Sequence, residues 1–565
     1  MDMFHHSKLS KNNESSIENN TNYLMIEKRF ELSPTSVAEV QAAIDTFGNK
    51  FSCGYDEVPI KLIKEAKNEL SSVLVHVINS SFVSGKFPDL LKISKVVPIY
   101  KSSDPELVSN YRPISLLSSI SKVFEKIVCN RLVNFLEENN ILDDTQHGFR
   151  KGKSTISAAV NFIESVIDSL DEGDLAVGIF MDLSKAFDSV NHQLLLSILQ
   201  KIGIKNNALD WFSSYLLNRK QFVEIQYLKD SKFVLNYKSS LQNIKLGVPQ
   251  GSNLGPLLFL CYLNNIGNCL KLTRKNNLFL YADDASLKLS NKFLDVLEIN
   301  AAVEMASLKQ SLEQRNLQLN LKKTKFIHFK TKQNKNKLHS NIIVEDNEVE
   351  QVNTIKFLGL KVDSNLSWDN HINKLLNKIN SGLYALKKMS FLCSIESLKQ
   401  IYFCHIHSHI SYGVSLYGAT KTENLNRILK VQKKAIRSML RLNFSDSVKQ
   451  NFKELGIMTV FGLYVYHSIL IFMNDKSKIT NEALNTHSYN TRKKQDIVVE
   501  HHRLQIFEKK PHYVGKRFYK NVPVKIKEEK NDNRFKNRLK DYIIHLAPYS
   551  LSEFGSTVGL ENKVY

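Results

Sequence analysis

An apolar run that contains two acidic residues, Leu278–Leu287, constrains the fold more than any other stretch of this chain. Asp283 and Asp284 interrupt a series of residues that otherwise has the pattern of a buried β-hairpin. An ionised carboxylate that leaves water costs many kcal/mol unless it is paired or binds a metal ion. The two aspartates therefore predict a cation site at the turn of a core hairpin.

A further carboxylate follows a strand earlier in the chain. The continuous apolar run Leu175–Met181 is typical of a central strand, and Asp182 comes directly after it. If the two strands are neighbours in one sheet, all three carboxylates meet at one edge, where two Mg²⁺ ions about 4 Å apart could support in-line phosphoryl displacement. Because successive strand residues face opposite sides, we expect Asp182 and Asp283 to bridge the ions and Asp284 to have a lesser role.

Two further runs predict single elements. The apolar run Leu254–Leu263 predicts a helix, and Leu319–Ile327 predicts a strand with a basic approach.

The composition restricts the partner and the compartment. The 565 residues include 77 Lys plus Arg against 56 Asp plus Glu, a net charge of +21, which favours an anionic polymer as partner, although solubility alone is a second explanation. The six cysteines form no CxxC pair and the first 30 residues hold no apolar signal segment, which indicates a reducing compartment inside the cell. The longest apolar run, Val460–Met473, is shorter than the ~20 residues that span a bilayer, so we expect no membrane attachment.

Two patterns in the C-terminal half allow more than one interpretation. In the segment 425–441 one helix face is apolar and another carries cations without an acid between them, namely Arg427, Lys430, Lys434, Arg437 and Arg441. Such a face is either simply solvated or suited to a nucleic-acid backbone. The alternating His405, His407 and His409 suggest a metal clamp on a strand. Their surroundings favour a helix, however, and in a helix a spacing of two separates the side chains. Structural histidines are then expected.

Several motifs in a fixed order carry a family resemblance. They are Tyr111–Leu117, Gln146–Thr155, Asp182–His192, Gly247–Phe259, Tyr281–Asp284, Asn320–Thr324, Phe357–Gly359, Trp368–Ile372 and Gln432–Arg437. Together they resemble the reverse transcriptases of non-LTR (LINE-type) retrotransposons, close to the jockey group. The similarity covers residues 40–550, apart from small departures such as Asn264-Asn265, where the family usually has Asn-Asp.

The resemblance implies an α/β fold with an α+β palm, that is, a right-hand polymerase of fingers, palm and helical thumb with a mostly helical C-terminal extension. The expected divisions are a disordered leader (1–30), an N-terminal extension with the fingers (31–175), the palm with its catalytic core and primer-grip hairpin (176–362), the thumb (363–475) and a basic C-terminal extension (476–565).

The activity that the resemblance implies is RNA-directed DNA polymerisation, in which a primer 3′-hydroxyl is extended with dNTPs on an RNA template. Mg²⁺ is the expected cofactor, with Mn²⁺ as a substitute, and the expected partners are the RNA template, the DNA primer or target, and dNTPs. The implied location is a cytoplasmic ribonucleoprotein and the nucleus. The segment before the fingers is too short for the endonuclease of complete elements, so none is expected in this chain.

On the matching positions the resemblance also implies individual roles. Asp182, Asp283 and Asp284 would hold the metals, and Lys323 would protonate the departing pyrophosphate. The nucleotide site would be formed by Lys101 and Arg112 at the triphosphate, Phe187 against the sugar as a barrier to ribonucleotides, Gln250, and Tyr281. The Phe357–Leu360 hairpin would grip the primer, and the basic face from Arg427 to Arg441 would lie on the duplex.

Two other interpretations remain. One is a catalytically silent relic that only binds RNA, which the intact set of three aspartates disfavours. The other is an intron maturase-like protein, which the jockey-type thumb motifs disfavour.

Overall fold

The computed structural model describes residues 28–229, 233–272, 277–334, 341–344, 347–474 and 500–556. Its central element, the palm sheet, has five strands. In spatial order they are Glu350–Gln351, Lys325–Phe329, Leu175–Met181, Asp284–Asn291 and Leu278–Tyr281. The middle strand is antiparallel to both of its neighbours, so the two strands that the sequence analysis singled out do lie side by side.

The palm sheet is buried on both faces, which explains why its middle strand is apolar throughout. Val177 and Ile179 belong to a core shared with the fingers, whereas Ala176 and Phe180 belong to a second core shared with the thumb. The helix Thr155–Glu172 covers this second face and begins with a capping box between Ser154 and Ser157.

The fingers contain a second sheet, which is surrounded by helices. Its strands lie in the order Tyr111–Leu117, Ile93–Tyr100, Lys220–Lys229 and Phe233–Lys238, and Gln242–Asn243 also pairs with the third of these. The helices of the fingers and palm are Val37–Asp45, Ile60–Glu65, Lys67–Ser84, Ser119–Glu138, His192–Lys201, Asn206–Leu216, Leu254–Leu263 and Leu294–Gln314. The buried helix Leu254–Leu263 and the strand Leu175–Met181 have the bounds that the sequence predicted.

Beyond the hairpin Thr354–Phe357 and Leu360–Asp363, the described residues are mainly helical. Its main helices are Asp369–Met389, Ile395–Tyr402, Thr422–Leu440, Lys449–Glu454, Val460–Asn474, Pro511–Lys520, Asp532–Leu546 and Leu551–Ser556. Shorter turns are Phe403–His407, which is a π-helix, and Ser408–Ser411, Val414–Tyr417 and Val524–Lys527. The predicted helical setting of the three alternating histidines is thus confirmed, and so is the predicted fold class.

The C-terminal extension fastens this helical region to the palm. Lys510 Nζ lies 2.7 Å from Asp168 Oδ1, and His512 Nδ1 lies 2.7 Å from Glu164 Oε2, both on the palm helix Thr155–Glu172. The thumb, the extension and one face of the palm sheet consequently share one apolar core.

Two expectations need correction or restriction. The predicted strand Leu319–Ile327 is wrong, because a turn at Asn320–Thr324 separates the short strand Gln318–Leu319 from Lys325–Phe329. The predicted disordered leader lies outside the described residues up to position 27, whereas Phe30 is buried and pairs with Ile204.

None of the helices in the described ranges is long and apolar enough to cross a membrane. The six cysteines are free thiols.

Candidate active site

The three aspartates come together because of strand register. Tyr281 pairs with Asp284 across a two-residue turn, in which Ala282 has the left-handed φ of 57°. On the other side of the Asp284 strand, the ladder to the middle strand ends at the pair Met181–Ala285, so Asp182 leaves its strand beside Asp284. Asp182, Asp283 and Asp284 all line one open cleft of about 3440 Å³ between the palm and the fingers.

The electrostatics of these carboxylates show how close they are. Burial, together with the charge of Asp182, raises the pKa of Asp283, while Arg112 and Lys101 act in the opposite direction. Burial, followed by the charges of Asp283 and Asp182, raises the pKa of Asp284 to about 6. A carboxylate whose pKa is raised by a neighbouring negative charge gains from a bound cation.

The donor chemistry fits a divalent ion that is shared with a substrate. In the part of the chain that the structure describes, no three His, Cys, Asp or Glu side chains form a complete metal cage. Mg²⁺ does not need such a cage, because it typically takes one or two carboxylates and completes its shell with water and substrate phosphates. The oxygens of Asp182 and Asp283 are donors of this kind.

Lys323 reaches the site through the turn that the sequence analysis missed. The Asn320 N–H donates a hydrogen bond to the Asp182 carbonyl oxygen over 2.9 Å, which bends the chain where a straight strand was expected. Lys323 Nζ then lies 3.1 Å from Asp182 Oδ2. The turn therefore adds a cation directly to the carboxylate cluster.

The predicted nucleotide contacts occupy different places around the cleft. Lys101 and Arg112, at the open end of the fingers hairpin, line it and act electrostatically on Asp283. Phe187 also lines it, with its ring stacked on Phe259 at a centroid distance of 4.4 Å. Tyr281, in contrast, is not among the residues that line the cleft.

Gln250 is placed by the glycine-bracketed turn Gly247–Ser252. Val248 N–H donates to the Phe187 carbonyl oxygen over 2.9 Å, and Gln250 Nε2 donates to Asp188 Oδ1 over 2.8 Å. Gly247 has a φ of 87°, and a Cβ there would lie 2.8 Å from Asp188 Cα, so only glycine fits. The turn and the segment after Asp182 thus form one wall of the cleft.

The predicted primer-grip hairpin turns at Leu358 and Gly359, both with positive φ. The Tyr412 ring of the thumb lies against Gly359, and its hydroxyl is 3.1 Å from Thr155 Oγ1 at the start of the palm helix. The charge of Lys356 in the first strand acts on Asp284 and partly offsets the rise of its pKa. The hairpin is therefore fixed close to the carboxylates by both the palm and the thumb.

Sequence analysis placed Gln146 in a family motif but gave it no role, whereas in the structure this residue holds the turn between the catalytic strands. This side chain is 4% exposed, and its Oε1 accepts the N–H groups of Ala282 at 3.0 Å and of Gly148 at 2.7 Å. Backbone hydrogen bonds from His147 N–H to Leu280 O and from Leu280 N–H to Thr145 O flank this contact. The partners are 136 residues apart, and nothing in the local pattern signals the pairing.

The five predicted thumb cations lie on the helix Thr422–Leu440 and at its end, and none of them lines the cleft. Lys430 and Lys434 are exposed. Arg427 donates to Asn373 Oδ1 over 2.8 Å, Arg437 to the Asp446 carbonyl oxygen over 2.8 Å, and Arg441 to the Ser390 carbonyl oxygen over 3.1 Å. The arginines of this face are thus engaged with the protein itself.

Comparison with known proteins agrees with this geometry. A family model described as "Reverse transcriptase (RNA-dependent DNA polymerase)" matches residues 99–362, which include the three aspartates, Lys323 and the fingers cations. The RNA-directed DNA polymerase from mobile element jockey of Drosophila melanogaster is 26% identical over 419 residues, 72% of this chain. Residues 99–362 thus carry a reverse transcriptase domain, and the chain is similar to the polymerases of jockey-like, non-LTR transposons.

Further relatives of the chain carry similar names. A probable RNA-directed DNA polymerase from transposon BS of Drosophila melanogaster is 27% identical over 437 residues, 76% of this chain and 47% of the relative. A Pol polyprotein from the type-1 retrotransposable element R2 of Popillia japonica is 25% identical over 302 residues, 52% of this chain and 39% of the relative. The chain spans less than half the length of these relatives and of the jockey protein. Reverse transcriptases generally depend on divalent metal ions, in keeping with the donor set of the cleft.

Proposed function

We propose that this chain is an RNA-directed DNA polymerase that extends a primer 3′-hydroxyl with dNTPs on an RNA template. The observation that carries the proposal is the meeting of Asp182 and Asp283 in one cleft with the fingers cations Lys101 and Arg112. Acidic groups that bind a divalent ion, next to cations that bind phosphates, are what phosphoryl transfer from a triphosphate requires. The relatives named RNA-directed DNA polymerases of transposons support the same activity.

Asp182 and Asp283 are the residues that would hold Mg²⁺, or Mn²⁺ in its place, with Asp284 in a lesser role beside them. When bound, the ions would supply Lewis-acid activation of the primer hydroxyl and charge stabilisation of the leaving oxygen. The proposal rests on the hard oxygen donors and on the raised pKa values of Asp283 and Asp284, which follow from burial and from the charge of Asp182.

The remaining roles fall to side chains whose positions are compatible with them. Lys101 and Arg112 bind and orient the triphosphate. Lys323 Nζ donates a proton to the pyrophosphate oxygen as the P–O bond breaks, and its contact with Asp182 holds the ammonium near that oxygen. Phe187 and Gln250 line the sugar side of the nucleotide site, and no nucleotide contact is assigned to Tyr281.

The proposed partners follow from the reaction. They are an RNA template, a DNA primer or target, and dNTPs, with the basic thumb surface as an additional nucleic-acid contact. A protein with these partners would act in a cytoplasmic ribonucleoprotein and in the nucleus.

A primer-extension assay tests the proposal. The purified chain should extend a DNA primer on an RNA template with Mg²⁺, and Asp283→Asn should abolish extension while leaving RNA affinity nearly unchanged. Asp295→Asn is a matched control, because Asp295 is an exposed palm acid in the first turn of Leu294–Gln314 and lies outside the cleft. Robust extension by the Asp283 variant would refute the metal assignment, and no incorporation by the wild-type chain would favour the RNA-binding relic.

A further inference from the structure

Three aromatic side chains of the thumb lie almost fully in solvent. Tyr384 is 64% exposed, Phe391 is 75% exposed and Phe444 is 81% exposed. We call these three residues the thumb aromatic patch. A phenylalanine ring that stays in water forgoes the stabilisation that its burial would contribute. A group of such exposed rings therefore indicates a binding surface.

Each ring of the thumb aromatic patch has a cation on it. Lys388 Nζ is 5.7 Å from the Tyr384 ring centroid, Arg441 Cζ is 5.3 Å from that of Phe391, and Arg437 Cζ is 5.6 Å from that of Phe444. The two guanidinium groups cannot swing freely, because they donate to the carbonyl oxygens of Ser390 and Asp446. The rings are therefore supported on one side and open to solvent on the other.

The patch spans two neighbouring helices. Tyr384, Lys388 and Phe391 follow one another at spacings of 4 and 3 along one face of the helix Asp369–Met389 and its end. Arg437 and Arg441 are one helical turn apart on the other helix. Rings and cations thus alternate along the end of the helix pair.

Positive charge predominates in this region, and the acid nearest in sequence to the patch is Asp446, two residues after Phe444. Residues 370–395 contain four lysines and no acid, and residues 424–445 contain six cations and no acid. Lys374, Lys378, Lys387 and Lys388 are all exposed. A protein-docking surface is usually depleted of lysine, whereas aromatic rings interleaved with cations are typical of surfaces that bind unpaired nucleic acid.

We propose that the thumb aromatic patch binds an unpaired strand of nucleic acid by stacking its bases on Tyr384, Phe391 and Phe444. Arg437 and Arg441 support the rings in this account, while the exposed lysines attract the phosphates. The inference rests on the proposed polymerase function for the source of the strand, which is either unpaired RNA template or unpaired DNA. It differs from the expectation that Arg437 and Arg441 contact the backbone of a duplex.

Binding of short labelled oligonucleotides to the full chain, measured by fluorescence anisotropy without dNTPs, tests the proposal. Phe391→Ala and Phe444→Ala should each weaken single-strand binding about tenfold, because stacking of one base is lost. The slope of log affinity against log salt should stay the same, since no phosphate contact is removed. Phe293→Ala is the matched control, because Phe293 is a palm phenylalanine that is 69% exposed, and its affinity should equal that of the wild type.

Two further comparisons separate stacking from other contacts. Phe391→Trp should retain the affinity, whereas Phe391→Leu, which is apolar but has no aromatic ring, should not. Tighter binding of RNA than of DNA of the same sequence would assign the patch to the template, and the reverse preference would assign it to an unpaired DNA strand.

Three results would overturn the proposal. They are an unchanged affinity of the alanine variants, full recovery by leucine, which would indicate an apolar protein contact, and equal losses on a blunt duplex. These measurements do not depend on catalysis, so a failure of primer extension would leave them interpretable, and the two proposals can fail separately.

Discussion

The palm and the thumb of this protein present charge in different ways. In the palm, strand register brings Asp182 and Asp283 together from distant parts of the chain at an open cleft, where Lys323 contacts Asp182. In the thumb, the cations lie close together along the sequence, but the side chains of Arg437 and Arg441 are occupied by backbone carbonyls and by aromatic rings. Proximity in the sequence is therefore a poor guide to which charges are free to bind a ligand.

The largest expected effect concerns stability in acid. Burial lowers the pKa values of His371, His407 and His467 in the thumb to about 4, assisted by Lys378 and Lys374 at His371 and by His467 and Lys540 at His407. Elsewhere in the described ranges, His147 is the histidine with a pKa of about 4. The unfolded chain takes up these protons near pH 6.5, whereas the folded chain takes them up only near pH 4. The contribution of each histidine to the free energy of unfolding, about 3 kcal/mol, is therefore fully present above pH 6.5 and is lost as the pH falls towards 4.

The two tryptophans report on the two regions separately. Trp211 is buried in the fingers–palm core and Trp368 in the thumb core. In single-tryptophan variants, Trp211→Phe and Trp368→Phe, the fluorescence of Trp368 should change at a higher pH than that of Trp211. If Trp211 changes first, the histidines do not govern acid stability.

These regions also show what the sequence can predict. The strand Leu175–Met181 and the helix Leu254–Leu263 were predicted with their observed bounds, because a continuous apolar run with polar ends is a local signal. The three aspartates were predicted as a cluster for the same reason. The turn at Asn320, the support of Ala282 by Gln146 and the carbonyl partners of Arg437 and Arg441 were not predicted, because each depends on a backbone group far away in the chain.

The next effect concerns the support of the turn between the catalytic strands. Gln146→Leu removes the acceptor for the Ala282 N–H and leaves that buried donor unpaired, at a cost of about 1–3 kcal/mol. A misplacement of about 1 Å at a catalytic group can lower a rate about 10²-fold, so we expect single-turnover extension to fall by this factor with RNA affinity retained.

A second variant reaches the same turn from the backbone side. Gly148→Ala should give the same phenotype, because a Cβ there would lie 2.4 Å from Ala282 N. Wild-type rates in both variants, at equal folded fractions measured by circular dichroism, would show that the Gln146 contact has no role in catalysis.

The smallest effect distinguishes the free from the engaged cations of the thumb. The double variant Lys430→Gln with Lys434→Gln should lower the slope of log affinity for RNA against log salt by about two, because both lysines are exposed. Lys536→Gln in the C-terminal helix Asp532–Leu546 should leave the slope unchanged. An unaltered slope in the double variant would mean that this thumb face is only solvated.

The most direct test of the central claim compares single-turnover incorporation by Asp182→Asn, Asp283→Asn and Asp284→Asn on one RNA template. We predict that Asp182→Asn and Asp283→Asn lose incorporation to the same, nearly complete extent. Asp284→Asn should retain measurable activity, because Asp284 stands at the start of its strand next to the pair, with a lesser role. A greater loss for Asp284 than for Asp283, or near wild-type incorporation by Asp182→Asn, would contradict the assignment of Asp182 and Asp283 as the catalytic pair.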